Sequence, residues 1–489
     1  MPASSKTFRV LGITLIMGLS GVIGLSIPVS AQDFPSDTWL GIYRGESKIG
    51  YVQLLADKET YKEKPGYRCD SRIFTRILAL GMMVEQELLT RIHLNEQFQP
   101  LAETFEMRSG GSVTKIEAAF EAERIVASVY SEGTKTNKII PIPEGSTLVG
   151  DLMFLPATRR LEIGEKFAYK YFNPAALALE DVFTEVVRKE TIEVDGVSHD
   201  SLLLRNMTSL GEMKCWLDEK GGVLKVSAIL GLNMIREPRE KALKFDNSYL
   251  PPEDLAVATS APTDREIISP RYVRDMTIRL VGLADEKLAI SDKRQQATYT
   301  PGEPPVGEFK IAATDFDLDK APNRPIKDRK LAEYLKATPY IQSGNEEIKA
   351  KAKAIVGDET NAYLAAGMIR AWVNINMKSK ADIGIMRSAV DVLHGKTGVC
   401  RDYAVLYAAL ARAAGIPTKM VSGLVYFEGR FYYHAWAESF VGEWVPFDAT
   451  LTTDFVDATH IKLAEGEATS MFDMVKTMGA LKAEVIQAD

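Results

Sequence analysis

The 489-residue sequence predicts a multidomain protein: an N-terminal antiparallel β-sheet or half-barrel domain, a short β linker region and a C-terminal α+β domain. Three observations predict it. Between residues 36 and 255 apolar positions alternate and turn signals recur. Prolines then punctuate the chain from Pro251 to Pro325. From Leu331 the apolar period becomes helical, and after Pro417 it returns to two. The expected boundaries are 1–31, 32–255, 256–325 and 326–489.

Residues 1–31 read as a secretory signal peptide. Lys6 and Arg9 form a positive start, an apolar run follows to Val29, and Val29-Ser30-Ala31 is a small-residue cleavage site. The run is long for such a segment, so an uncleaved anchor is the alternative. No later stretch is long and apolar enough to span a bilayer. The expected location is therefore periplasmic or extracellular, with no membrane span after cleavage near Ala31. A net charge of −7 argues against nucleic acid as a partner. Export permits disulfides. Cys69 and Cys215 are a possible pair, although their spacing does not demand it, and Cys400 is then the odd thiol.

In the β-rich region, Trp39–Tyr43 and Tyr51–Leu55 flank a turn-rich stretch from Gly45 to Gly50. Val113–Phe120 and Ile125–Tyr130 read as paired strands. Asp195-Gly196 marks a hairpin, and Lys220–Gly222 separates two further runs. Ile73–Leu94 fits strand or helix. Between 256 and 325, Thr277–Val281 and Phe309–Ala312 are β-like, with Pro301–Pro305 between them. In the last region Ile348, Ala352 and Ile355 share one helical face. Leu364, Met368, Trp372 and Ile375 form an apolar stripe, with Asp358 as N-cap. Ser388–His394 is a short helix stopped by Gly395. Tyr403, Leu406, Leu410 and Ala414 make the stripe of the next helix, which Gly415 and Pro417 end. Strands at Lys419–Phe427, Arg430–Phe440 and Trp444–Asp448 follow, turning at Glu428-Gly429 and Gly442.

The chemistry concentrates in this last region. Cys400 opens a helix, where unpaired N–H groups favour a thiolate. A thiol nucleophile needs a base, and the base needs an orienter. His434 and Asp448 lie on consecutive strands at an even separation, which puts both on one face. Each has a bland alternative: a packed small residue, a core histidine, a cap for Ala449-Thr450. Trp436 shares the His434 face, shielding the site or filling the core. His394 and His460 read as structural, and His93 and His199 as lacking partners. No CxxC or HExxH spacing points to a metal.

Gly398-Val-Cys400-Arg-Asp-Tyr-Ala404, Ala413–Pro417, His434-Ala-Trp436 and Trp444–Asp448 together resemble the bacterial transglutaminase-like superfamily. The resemblance runs from about Ala337 to Gly466. It implies a papain-like cysteine-enzyme core, with Cys400 as nucleophile, His434 as base and acid, and Asp448 as orienter. It implies acyl transfer through a thioester and no cofactor, on a protein or peptide substrate or a cell-envelope component. Hydrolysis and cross-linking both fit. The β-rich region resembles the accessory domain in front of such cores. The Cys400 N–H is a candidate oxyanion donor. Trp372 is a second candidate, or a core residue of its stripe. The rival reading is a non-catalytic binding or assembly protein of the cell envelope that retains the fold.

Overall fold

The computed structural model describes residues 35–79, 81–109, 112–131, 134–150, 161–208, 211–244, 254–379 and 386–489. The signal-peptide expectation lies outside these residues. The described chain forms two compact units that part between Asp254 and Leu255.

The first unit is one antiparallel sheet. Its strands are β1 (Ser36–Arg44), β2 (Ser47–Tyr61), β3 (Lys64–Ala79), β4 (Met82–Asn95), β5 (Pro100–Ser109), β6 (Ser112–Phe120), β7 (Arg124–Ser131), β8 (Thr134–Pro141), β9 (Lys166–Asn173), β10 (Ala178–Val194), β11 (Val197–Thr208), β12 (Gly211–Leu217), β13 (Val223–Ser227) and β14 (Leu232–Arg236). They run β8 to β1 and then β14 to β9, so every sequence neighbour pairs except β8 and β9, and β1 joins β14. The ambiguous Ile73–Leu94 stretch is the β3–β4 hairpin. Its burial alternates with period two, through Ile73, Thr75 and Ile77 on one strand and Gln86, Leu88 and Thr90 on the other. That is the mark of a sheet with one covered face. The sheet curls: Phe120 of β6 meets Phe172 of β9, at the far edge, with ring centroids 6.1 Å apart.

Cys69 packs with Ala56, Ile92, Leu94 and Phe98, while Cys215 lies on β12 opposite Leu204 and Val226. The Cys69–Cys215 disulfide is not formed. His93, expected to lack a partner, meets Glu59 Oε2 at 2.7 Å through Nδ1 and stacks on Tyr61.

The second unit takes in the expected linker. Residues 261–312 are part of its fold. β15 (Ala261–Pro262) pairs with β22 (Arg430–Phe440). β16 (Asp275–Val281), β17 (Gln295–Thr300) and β18 (Val306–Ala312) join β25 (Lys482–Ala488) in the order β17-β18-β16-β25. The prolines interrupt strands here without marking a domain boundary.

Four helices follow: α1 (Glu346–Val356), α2 (Ala362–Asn376), α3 (Ala389–Gly395) and α4 (Cys400–Ala413). In α4 every residue from Cys400 to Arg412 is buried, so the expected stripe is a helix covered on all sides. It packs against β22 and β21 (Thr418–Phe427), and against α1, α2 and α3. β23 (Trp444–Phe447) and β24 (His460–Gly466) complete the sheet, on β22 and β21 respectively. Glu428 and Gly429 both have positive φ, as a tight hairpin turn requires.

In α2 the expected stripe is the outer face. Leu364, Met368 and Ile375 are exposed, and Ala362, Ala365, Ala366, Ile369, Arg370 and Val373 are buried. Small alanines let α2 approach α4 closely. Arg370 is held by Asp454 and the Leu451 carbonyl. The N-cap is Asn361, whose side chain accepts from Tyr363 N and Leu364 N, in place of Asp358.

Candidate active site

The site is assembled at the start of α4. Gly398 leaves room that a Cβ would take from Asp402, whose carboxylate it would meet at 2.3 Å. Asp402 Oδ2 accepts from Val399 N at 3.0 Å and ties the incoming loop to the first turn. Cys400 follows as the first helical residue. The acid at Asp402 caps the helix start that presents the thiol.

His434 sits on β22, fully buried. Its Nε2 donates to Asp448 Oδ2 at 2.7 Å, and the Cys400 sulfur is near enough to act on the charge of the ring. The β22–β23 register pairs Ala437 with Phe447. Asp448 is therefore level with Trp436, and His434 is its diagonal neighbour on the same face. Asp448 also accepts from Thr450 N at 2.7 Å and Thr450 Oγ1 at 2.6 Å, both at Oδ1. It caps the loop with one oxygen and holds His434 with the other.

Burial disfavours the charged ring of His434. The Asp448 carboxylate and the Cys400 sulfur outweigh that burial and hold it up to about 9. Burial also works against the Asp448 anion. His434, then His460, reverse that and hold it well below the usual carboxylate range. The arrangement favours the imidazolium form of His434 beside the Asp448 carboxylate.

Of the two tryptophans, Trp436 is at the site. It stacks on His434 at 6.1 Å, lies nearly perpendicular to the His460 ring at 5.4 Å, and is 1% exposed. Gly423 makes this possible, because a Cβ there would meet the Ile461 carbonyl at 1.9 Å and the Trp436 ring at 3.0 Å. Trp372 is half-buried on α2, with the Lys351 ammonium of α1 5.3 Å from its ring. It shares the face that α2 turns outward.

His460, read as structural, lies at the site. Its Nε2 is 3.3 Å from Asp448 Oδ2, and its Nδ1 is 3.3 Å from Asp457 Oδ1. Asp457 is paired with Arg271 at 2.9 Å. Arg294 donates to the carbonyls of His460 and Asp457 at 2.7 and 2.6 Å. The sequence holds a signal for this. Asp448-Ala-Thr450 recurs as Asp457-Ala-Thr459, and each aspartate accepts from the backbone N and Oγ1 of its threonine. His394, by contrast, is half-exposed and meets Glu347 at 2.7 Å. His434, Asp448 and His460 each offer a ligand atom within 4.8 Å of the others, a spacing that suits a metal ion. The histidine nitrogens that face Asp448 are engaged with it.

Comparison with known proteins bears on the fold around the site. A family model described as transglutaminase-like superfamily matches residues 349–449. A second, described as a protein of unknown function (DUF3108), matches residues 41–229. The second unit thus carries a transglutaminase-like core, and the β-rich region in front corresponds to the accessory domain. An uncharacterized protein of Haemophilus influenzae is 37% identical over 99 residues, 19% of this chain and 26% of that protein. One of Mycobacterium leprae is 36% identical over 77 residues, 14% of this chain and 27% of that protein. The matched part is about a quarter of the length of these relatives. Among solved structures, a proposed cysteine protease from Cytophaga hutchinsonii has a TM-score of 0.33 at 18% identity, covering 44% of this chain and 90% of that one. A β-barrel-like protein from Brucella abortus has a TM-score of 0.30 at 11% identity, covering 42% and 95%.

Proposed function

We propose that this protein is an exported cysteine enzyme that transfers or hydrolyses acyl groups through a thioester. Cys400 is the nucleophile, His434 the base and acid, and Asp448 the orienter. The observation that carries this reading is the buried His434 ring, bonded to Asp448 at 2.7 Å and raised in pKa by the nearby Cys400 sulfur. The thiolate attacks a carboxamide or peptide carbonyl. The oxyanion forms beside the first turn of α4, where the Cys400 N–H is a donor. The imidazolium gives its proton to the leaving amine as the C–N bond breaks, and a thioester remains. Neutral His434 then takes a proton from water or an amine, which attacks the thioester and restores the thiol. The substrate is a protein or peptide. Water exclusion and pocket shape, not these three residues, decide between hydrolysis and cross-linking.

The signal-peptide pattern of residues 1–31 supports export to the periplasm or beyond. A second reading rests on the complete burial of Cys400: a binding or assembly protein of the cell envelope that keeps the fold without turnover. A peptide and amide library incubated with the wild type and with Cys400→Ala separates the two. The expected result is a mass adduct on Cys400, released by water or amine and missing in the variant. No adduct under any condition would sink the enzyme reading.

A further inference from the structure

His434 on β22, Asp448 after β23 and His460 at the start of β24 gather three ligand atoms around one point. Asp448 Oδ2 lies 2.7 Å from His434 Nε2 and 3.3 Å from His460 Nε2, and each residue offers a ligand atom within 4.8 Å of the others. Both imidazoles have no exposed surface, and Asp448 is 2% exposed. Two imidazole nitrogens and a carboxylate oxygen are the donor set of a three-ligand zinc site. Zinc bonds of about 2.0–2.1 Å at tetrahedral angles set ligand atoms about 3.3 Å apart. The His460–Asp448 separation already has that value, and His434 needs to withdraw by about 0.6 Å.

The surroundings of His460 fit the same role. Its Nδ1 makes no hydrogen bond, and Asp457 Oδ1 stands 3.3 Å from it. An ion on Nε2 places the ring proton on Nδ1, facing that carboxylate. Ligating histidines use such an outer partner to fix tautomer and ring plane. Asp457 is itself held by Thr459 and Arg271, and Arg294 donates to the carbonyls of His460 and Asp457. Thr450 fixes Asp448 Oδ1 and leaves Oδ2 to the two rings. Trp436 stacks on His434 and stands nearly perpendicular to His460, an apolar wall for the site. His460, Asp457, Arg271 and Arg294 all lie outside residues 349–449, so this half of the site is added to the matched core.

We propose that His434, Asp448 and His460 bind a divalent transition cation of the Zn²⁺ type, and that the bound ion holds the enzyme off. The inhibition rests on the reading of His434 as base and acid, and the binding does not. As the ion enters, the His434 Nε2 proton leaves to solvent and the lone pair it frees bonds the metal. The hydrogen bond from Nε2 to Asp448 Oδ2 breaks, and Oδ2 bonds the ion as well. His434 is then a neutral ring with its one proton on the other nitrogen and no lone pair to spare. It takes no proton from thiol, water or amine, and giving up its last proton would leave an imidazolate. Removal of the ion returns Asp448 to the ring. The same nitrogen serves catalysis or the metal, never both at once.

The test is a calorimetric titration of the full chain with zinc chloride. One ion per chain is expected. Cys400→Ser, which removes the thiol and no ligand, binds it with unchanged affinity. His460→Ala loses about a hundredfold or more, since losing an outer partner alone costs about 10–100-fold. Should the alanine variant fail to fold, His460→Gln, which fills the space without an imidazole nitrogen, carries the comparison. Cobalt(II) in place of zinc gives visible absorption with no sulfur-to-metal band. A wild type that binds no ion, a folded His460 variant that binds as tightly as the wild type, or loss of binding in Cys400→Ser overturns the proposal. The peptide and amide library then reads the effect. Saturating zinc abolishes the Cys400 adduct and a chelator restores it. An undiminished adduct with the ion bound also overturns the proposal. Binding that depends on His460, with no adduct at any zinc level, sinks only the enzyme reading and leaves the metal site standing.

Discussion

Asp448 and Asp457 do the same work at two places. Each spends one oxygen on its threonine and the other on a cationic or ionisable side chain. Stability must therefore respond to pH at both ends of the scale. The folded His434 holds its proton to about 9, against 6.5 for an imidazole in water. The stability this contributes is fully present below 6.5 and is lost as pH rises through 9. Asp457 is held down to about 2, against 3.8, so its contribution is present above 3.8 and lost as pH falls through 2. Thermal unfolding followed by circular dichroism should show Tm falling between pH 7 and pH 10. His434→Gln should flatten that alkaline slope, and an unchanged slope would argue against the raised value. Cys400, His434 and Asp448 were legible in the sequence because strand parity and a helix start decide where they point. His460 was not, since its place depends on a loop geometry that no period encodes.

At the scale of elements, α2 shows what hydrophobic periodicity misses. Its large apolar residues repeat at helical spacing, but its alanines choose the buried face, since close approach to α4 needs small side chains. Met368→Lys should therefore change unfolding free energy by no more than about 0.5 kcal/mol. Ile369→Ala, which empties a fully buried position, should cost about 2–4 kcal/mol. Chemical denaturation of both variants decides which face is inside. The antiparallel hairpins were more legible, because Asp195-Gly196 and Glu428-Gly429 take the positive φ values that tight turns need. A second element-scale consequence lies in β24 and β22. Lys462 is 1% exposed and meets Glu438 at 2.8 Å and Glu465 at 3.0 Å, with Asp292 also in contact. Lys462→Met should cost about 3 kcal/mol, because buried Glu438 loses its nearest cation and keeps Lys419 at 3.3 Å.

At the scale of the molecule, the region from 256 to 325 changes meaning. Its prolines suggested a linker, yet β16 pairs with β18 and β25, and Arg271 and Arg294 hold the loop behind Asp448. Pairing between segments about two hundred residues apart is invisible to local pattern. Residues 255–489 expressed alone should unfold cooperatively, whereas 326–489 should show no cooperative transition by calorimetry. The β-rich unit was legible in its alternation and turns, but not in the length of its strands or the joining of β1 to β14. Cys400 adds a last consequence. A sulfur with no exposed surface meets reagents only through a transiently opened form. Its observed alkylation rate is then the intrinsic rate multiplied by the fraction of molecules open at any moment. Traces of urea, far below the unfolding midpoint, should speed that alkylation, and the acceleration would measure how much of the fold must part before a substrate can enter.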